Sequence, residues 1–318
     1  MTISRLMVLN ILSKQKRLFL HKGVTEMLLK KYIFPYLLIL PLIIIMIGLV
    51  FYPVLVTFTD SFKSMSLLNP GDERFIWLSN YYTLLHDPTV LRTLENTFFY
   101  FLLAIVGELI GGLFIAMVLN RKFRGRGLVL AAVIIPWSLP PVVNGIIWKW
   151  IYDPSTGVLN DILMNFHIIQ SNQIWLGNST LALLCVTLVH IWKMIPLTAV
   201  ILLATLQTIP KDLYEAARMD GSSPINIFRF ITLPFLKPAI VISLTQSTIA
   251  AINIFDEIYV LTGTNLGTRS VLLQNYLIAF QQLNLGQGMA LSLMITLITV
   301  LISIVYVLWL RIGKGEKM

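Results

Sequence analysis

The most constraining feature of this chain is an uninterrupted apolar stretch near its N-terminus. Residues 33–59, IFPYLLILPLIIIMIGLVFYPVLVTFT, contain no charged side chain, and about 20 apolar residues in a helix are enough to cross the hydrocarbon core of a bilayer. The stretch is too long for a signal-peptide core and has no convincing cleavage site after it, so we predict a retained anchor. Only 12% of the whole chain is charged, against roughly a quarter in soluble domains.

Further long apolar segments predict an all-α integral membrane protein, because backbone polar groups inside a bilayer must be satisfied within helices or closed barrels. Six segments are long enough to span, and we place them at 33–59, 94–119, 128–151, 181–207, 238–260 and 287–310. The predicted transmembrane domain therefore covers 33–310. A segment 1–32 precedes it and a tail 311–318 follows it.

The distribution of cations predicts the orientation of these helices. Of the 24 Lys and Arg residues, eighteen fall in the N-terminal segment, the loop after the second span, the loop 208–237 and the tail. The positive-inside rule puts these segments, and hence both termini, in the cytoplasm. The net charge of +9 is thus explained by topology, and we expect no nucleic-acid partner. The N-terminal segment is expected to be either an interfacial helix on membrane lipid or a disordered basic tail.

The sequence contains no recognisable catalytic apparatus. We find no metal-ligand cluster, no nucleophile with an adjacent base, and no G-x-x-x-x-G-K-[ST] phosphate-binding loop. We therefore predict that the chain is not an enzyme and holds no cofactor.

The loop 208–237 is polar and glycine-containing in an otherwise apolar chain. Its sequence IPKDLYEAARMDGSSPINIFRFITLP predicts two short helices with a break at Gly221, which tolerates the backbone conformation of a sharp turn. Pro224 suits an early position of the second helix, where its missing N–H would be unpaired in any case.

This loop carries the pattern E-A-A-x(3)-G-x(9)-I-x-L-P, and all seven positions match: Glu215, Ala216, Ala217, Gly221, Ile231, Leu233 and Pro234. It resembles the signature loop of permease subunits of binding-protein-dependent ABC importers, and the whole chain looks closest to carbohydrate permeases of the maltose type. Stretches such as residues 135–163, 191–221 and 255–264 support the likeness.

The resemblance implies the type I importer permease fold, with cytoplasmic coupling helices at the loop. It also implies four kinds of partner: a second homologous permease, two cytoplasmic ATPase subunits, an extracytoplasmic solute-binding protein and a sugar substrate. The seven signature residues would then couple the permease to the ATPase subunits. A glycerol phosphate or another small solute is an alternative substrate, and an ion-coupled secondary transporter is an alternative mechanism.

Ionisable side chains within spans are costly and suggest function. Glu108 and Lys193 lie near mid-depth, with His190 on the same helical face as Lys193. Two interpretations stay open: a buried pair between Glu108 and Lys193, or a Lys193 that lines a polar substrate cavity. Asp256 and Glu257 lie near the outer end of the fifth span, where a gate or loop contact is expected.

The depth of each residue also selects candidates for the substrate site, because transporter sites lie near the bilayer midplane. The candidates on the fourth and fifth spans are Lys193, Met194, Leu197, Ser247, Ala250 and Asn253. Small residues in a span equally suit close helix packing. Substrate binding and close helix packing therefore both stay open as interpretations of the residues on the fifth span.

Overall fold

The computed structural model describes residues 34–69, 71 and 73–312. The chain divides into two compact units between Thr59 and Asp60. The predicted N-terminal segment 1–32 and most of the predicted tail 311–318 lie outside the described residues. In the first unit, α1 (Phe34–Met46) continues through a π-helical turn (Ile47–Phe51) into α2 (Tyr52–Asp60), and this accounts for the predicted first span.

The second unit is mostly helical. A short antiparallel hairpin, β1 (Lys63–Ser64) and β2 (Arg74–Phe75), comes first. The helices that follow up to the loop are α3 (Ser79–His86), α4 (Pro88–Asn120), α5 (Arg126–Ser138), α6 (Pro141–Ile151), α7 (Val158–Asn165) and α8 (Ser179–Leu206). The remaining helices are α9 (Lys211–Met219), α10 (Pro224–Ile227), α11 (Leu233–Ile252), α12 (Asp256–Thr262), α13 (Val271–Tyr276) and α14 (Leu285–Ile312), with π-helical turns at Phe228–Thr232 and Leu277–Gln281.

Within the described residues, five helical segments are long and apolar enough to cross a membrane: Pro35–Asp60, Pro88–Asn120, Ser179–Leu206, Pro224–Ile252 and Leu285–Leu310. The third predicted span, 128–151, is not one straight helix. It consists of α5 and α6, which are bent by 99° relative to each other. The bend follows from Pro140 and Pro141, because a proline disfavours helical geometry in the residue before it, and Leu139 is accordingly extended.

The fifth span is also displaced from its predicted position. A continuous helical segment runs from Pro224 to Ile252, so it starts inside the predicted loop and ends before residue 260. The residues that follow form the separate helix α12. The predicted span ran past this break, although α12 begins with two acidic residues, Asp256 and Glu257.

The pairing of α4 with α8 forms the centre of the second unit. Both helices begin at side-chain caps: the Asp87 carboxylate accepts a bond from the Thr89 amide, and Asn178 accepts bonds from Thr180 and Leu181. A Cβ added to Gly112 would lie 2.5 Å from Thr198 Cγ2 and 3.1 Å from the Ala199 amide nitrogen. Only glycine therefore allows this close approach.

The segment between α6 and α8 is organised around one buried side chain, Asn160. Its amide group donates to the carbonyls of Pro154 and Gln173, and its oxygen accepts from the Gln173 amide and the Trp175 indole. These four bonds hold α7 against the chain that leads into α8.

Candidate functional site

The loop between α8 and α11 is a helical hairpin. Helix α9 ends at Met219, Gly221 has a φ of +75°, and α10 begins with Pro224 in its first turn. The Ser223 hydroxyl caps α10 by accepting a bond of 3.3 Å from the Asn226 amide. The predicted first short helix and the break at Gly221 are confirmed. The predicted second short helix is instead the start of the continuous helical segment Pro224–Ile252.

The seven signature residues divide into two groups by burial. Glu215, Ala216, Gly221 and Pro234 are exposed, and Ala217 is half-buried. Ile231 and Leu233 pack instead against a buried cluster formed mainly by α4, α8 and α11. The first group is thus available to a partner, whereas the second anchors the loop to the membrane domain.

A side-chain contact ties the two arms of the hairpin together. The Tyr214 hydroxyl on α9 lies 3.2 Å from the Thr232 hydroxyl, which is in the π-helical turn before α11. Tyr214 also contacts the same buried apolar cluster. These contacts predict that the hairpin moves as one body with the start of α11.

Large apolar side chains project from the hairpin on both sides of Gly221. Met219 is 88% exposed, Ile225 is 76% exposed and Phe230 is 68% exposed. Exposed apolar patches rimmed by polar groups mark protein interaction sites. The tip of the hairpin is therefore an exposed apolar patch of the kind that marks a protein interaction site.

Within the membrane domain, Glu108 of α4 forms the centre of a buried polar cluster. Ser247 of α11 donates a hydrogen bond of 2.5 Å to Glu108 Oε2, and His190 Nε2 of α8 lies 3.6 Å from Glu108 Oε1. Three helices therefore meet at one carboxyl group. All three side chains are almost completely buried.

The interpretation that Glu108 pairs with Lys193 is wrong. Lys193 Nζ lies 3.5 Å from Glu257 Oε1 instead. Because the helix breaks after Ile252, α12 packs back against α8 and brings Glu257 to Lys193. The pairing depends on that break, which the sequence pattern does not reveal.

The six predicted substrate residues have different environments. Met194 and Ser247 are buried, Lys193, Leu197 and Ala250 are half-buried, and Asn253 is exposed. The Ser247 hydroxyl donates its hydrogen bond to Glu108. Asn253 caps the end of α11, with its side chain donating to the Ile249 carbonyl. Their participation in substrate binding stays a prediction.

Asn144 of α6 was not among the residues predicted from the sequence. Its side chain is fully buried, and neither amide atom has a hydrogen-bond partner within the described part of the chain. One turn further along α6, the Trp148 indole nitrogen is likewise buried and unpaired there. The available signal was a lone polar residue in an apolar segment, which is the same rule that singled out Glu108.

Among the residues described, no group of three or more His, Cys, Asp or Glu side chains is placed to hold a metal ion.

Residues 108–312 match the family described as "Binding-protein-dependent transport system inner membrane component". The matched region begins at the buried Glu108 and includes the whole hairpin. The chain belongs to this family. It is therefore a membrane component of a binding-protein-dependent transport system, and the family predicted from the loop motif is confirmed.

Several characterised permeases are similar over most of their length. The chain is 36% identical to the trehalose/maltose transport system permease protein MalF of Thermococcus litoralis, covering 89% of this chain and 94% of that protein. It is 36% identical to the sulfoquinovosyl glycerol transport system permease protein SmoG of Agrobacterium fabrum, covering 86% and 89%. It is 35% identical to the trehalose transport system permease protein SugA of Mycobacterium tuberculosis, covering 82% and 83%.

The fold is also that of a solved transporter chain. A bacterial ABC transporter involved in the import of the acidic polysaccharide alginate superimposes with a TM-score of 0.76 at 21% identity, covering 89% of this chain and 96% of that chain. The predicted all-helical importer permease fold is thereby confirmed.

Proposed function

We propose that this chain is a permease subunit of an ATP-driven importer and that it translocates a di- or oligosaccharide. The observation that carries the proposal is the chemistry named for its relatives, which transport trehalose, maltose or sulfoquinovosyl glycerol. All three are glycosides. The alternative substrates are a glycerol phosphate or another small solute.

The proposed complex contains a second homologous permease, two cytoplasmic ATPase subunits and an extracytoplasmic solute-binding protein in a bacterial cell membrane. The sequence contains no phosphate-binding loop, which supports the proposal that ATP is hydrolysed on the separate subunits. The gathering of cations in the hairpin, the loop after α4 and the terminal segments supports a cytoplasmic location for both termini.

In this proposal the hairpin is the docking element for an ATPase subunit. Glu215 and the exposed apolar side chains of Met219 and Ile225 would contact the ATPase, and Gly221 would keep the two arms folded. A push on the hairpin would reach the membrane domain directly, because one helical segment continues from Pro224 to Ile252. Rigid-body motion of such segments would close the transport cavity on one side of the membrane and open it on the other.

The proposed sugar path runs along α8 and α11, where the candidate residues lie. Asn253 is the exposed polar member of the set, and Lys193 is half-buried beside Glu257. Sugars require hydrogen-bonding groups next to apolar surface, and Lys193, Asn253 and Leu197 are members of the set that are not fully buried.

The test is uptake of radiolabelled disaccharides and oligosaccharides by cells that lack the chain. Cells are complemented with the wild type, Glu215→Ala or Asp212→Ala. Asp212 is an exposed acid one turn earlier on α9 and is the matched control. We expect one sugar's uptake to vanish on deletion, return with the wild type and Asp212→Ala, and stay low with Glu215→Ala.

Equal uptake by both variants would contradict the role of Glu215. Normal uptake of every sugar after deletion would contradict the sugar assignment, and glycerol phosphates would be tested next. Uptake into vesicles that is independent of ATP would instead support an ion-coupled mechanism.

A further inference from the structure

A cavity at the base of the hairpin is not explained by docking to the ATPase. It has a volume of about 340 Å³ and lies between the end of α4, the end of α8 and the two arms of the hairpin. The residues that line it include Arg121, Arg218, Tyr214, Ser222, Leu206 and Phe228.

The charged residues that line this cavity are all cationic. Two exposed arginines, Arg121 and Arg218, are among the residues that line it, and no Asp or Glu is. Neither arginine forms an ion pair with any residue that the structure describes. Guanidinium groups present planar sets of N–H donors that match phosphate oxygens, and the hydroxyls of Tyr214 and Ser222 add further donors.

The position of the cavity at the ends of two spanning helices predicts that it lies at the level of the headgroup layer of a bilayer. Arg121 is the residue that ends the long helix α4, and Leu206 is the last residue of α8. Both helices are long and apolar enough to span, and the predicted spans 94–119 and 181–207 end near these residues. We therefore expect these helix ends to lie near the membrane boundary. The walls combine these cations with apolar side chains such as Met117, Ile227 and Phe228. An amphipathic ligand fits such a mixed lining better than a wholly polar one does.

We propose that this cavity binds a phosphate-bearing anion, with the headgroup of an anionic phospholipid as its source. The cytoplasmic side assigned to the loop under the proposed function is the leaflet where anionic lipid attracts basic residues. The ligand would join the end of α4 to the hairpin through Arg121 and Arg218. It would therefore stiffen the base of the hairpin that carries Glu215.

The experiment compares two double variants of the full chain with the same loss of charge. Arg121→Gln with Arg218→Gln removes both cavity cations. Arg124→Gln with Arg229→Gln removes one exposed arginine from each of the same two segments but none from the cavity lining. Each protein is placed in nanodiscs of phosphatidylcholine with a small fraction of phosphatidylglycerol, and retained lipid is counted by native mass spectrometry after extraction.

We expect the wild type and the control to retain phosphatidylglycerol, and the cavity variant to bind it at least about tenfold more weakly, since charge-assisted bonds to two arginines are lost. A parallel series in pure phosphatidylcholine with inorganic phosphate identifies the source. Binding of phosphate there, with the same dependence on the two arginines, would support the anion site but assign it to a soluble phosphate.

Equal retention of phosphatidylglycerol and phosphate by the two double variants would overturn the proposal. If the cavity variant were then impaired only in binding the ATPase subunit, the cavity would be part of a protein interface. Lipid retention is measured without transport, and Glu215→Ala should retain lipid normally. Failure of the sugar assignment would therefore leave this result unchanged.

Discussion

Ser247 of α11 donates a hydrogen bond of 2.5 Å to Glu108 of α4, although the two residues are 139 positions apart in the chain. The helix that carries Ser247 begins in the hairpin at Pro224. A conformational change that displaces α11 along α4 must therefore break this hydrogen bond or move Glu108 together with Ser247. Glu108 in turn faces His190 of α8, so the carboxyl group joins the three helices at the centre of the second unit.

The Ser247 bond can be tested against a neighbouring serine on the same helix. Ser247→Ala should destabilise the protein by about 1–3 kcal/mol, because the buried Glu108 carboxyl group loses a donor. Ser243→Ala is the matched control, since the Ser243 hydroxyl is buried but has no hydrogen-bond partner in the described residues. Thermal unfolding in detergent, followed by tryptophan fluorescence, measures both. Equal loss in the two variants would contradict the importance of this bond.

The Lys193–Glu257 pair predicts a double-mutant effect. Both side chains are largely buried, at 12% and 6% exposed. Lys193→Met should destabilise the protein by about 3–5 kcal/mol, because it leaves a buried charge uncompensated. Combining it with Glu257→Gln should recover most of that loss. Lys149→Met, at an exposed position, should have little effect. If the double variant is no more stable than Lys193→Met alone, the pair does not act as a unit.

Two adjacent glycines on α4 should differ in their tolerance of alanine. A Cβ on Gly111 would contact the flexible tip of Ile195, whereas a Cβ on Gly112 would approach Thr198 and the α8 backbone. We expect Gly112→Ala to destabilise the protein by about 1–3 kcal/mol and Gly111→Ala to be nearly neutral. Thermal unfolding of the two variants checks this, and a larger loss for Gly111→Ala would contradict the described helix approach.

The turn of the hairpin should depend on backbone conformation alone. Gly221 has a positive φ, and a Cβ there would meet nothing within 4 Å. Gly221→Val should therefore act through backbone strain of about 1–2 kcal/mol, which lowers the population of the folded turn roughly fivefold to thirtyfold. Gly221→Asn should retain more sugar uptake, because Asn tolerates this region better. Equal uptake by the two variants at equal membrane abundance would argue against a need for the folded turn.

Much of the molecule follows from local properties of the sequence. The apolar segments fix which parts can lie in a bilayer, since transfer free energy depends on composition and length rather than on neighbours. The helical hairpin is equally local: Gly221 permits the turn and Pro224 favours the start of α10. The loop motif, a contiguous pattern, was sufficient to indicate the family to which the chain belongs.

The tertiary structure decided which polar groups meet. Lys193 pairs with Glu257 rather than Glu108 because the helix ends at Ile252 and α12 folds back on α8. The bend of 99° between α5 and α6 and the cavity shared by Arg121 and Arg218 likewise depend on packing between distant segments. The apolar pattern of a helix indicates how much of its surface is apolar, but it does not indicate which neighbouring helix covers that surface. Contacts across helices are therefore not determined by the local sequence.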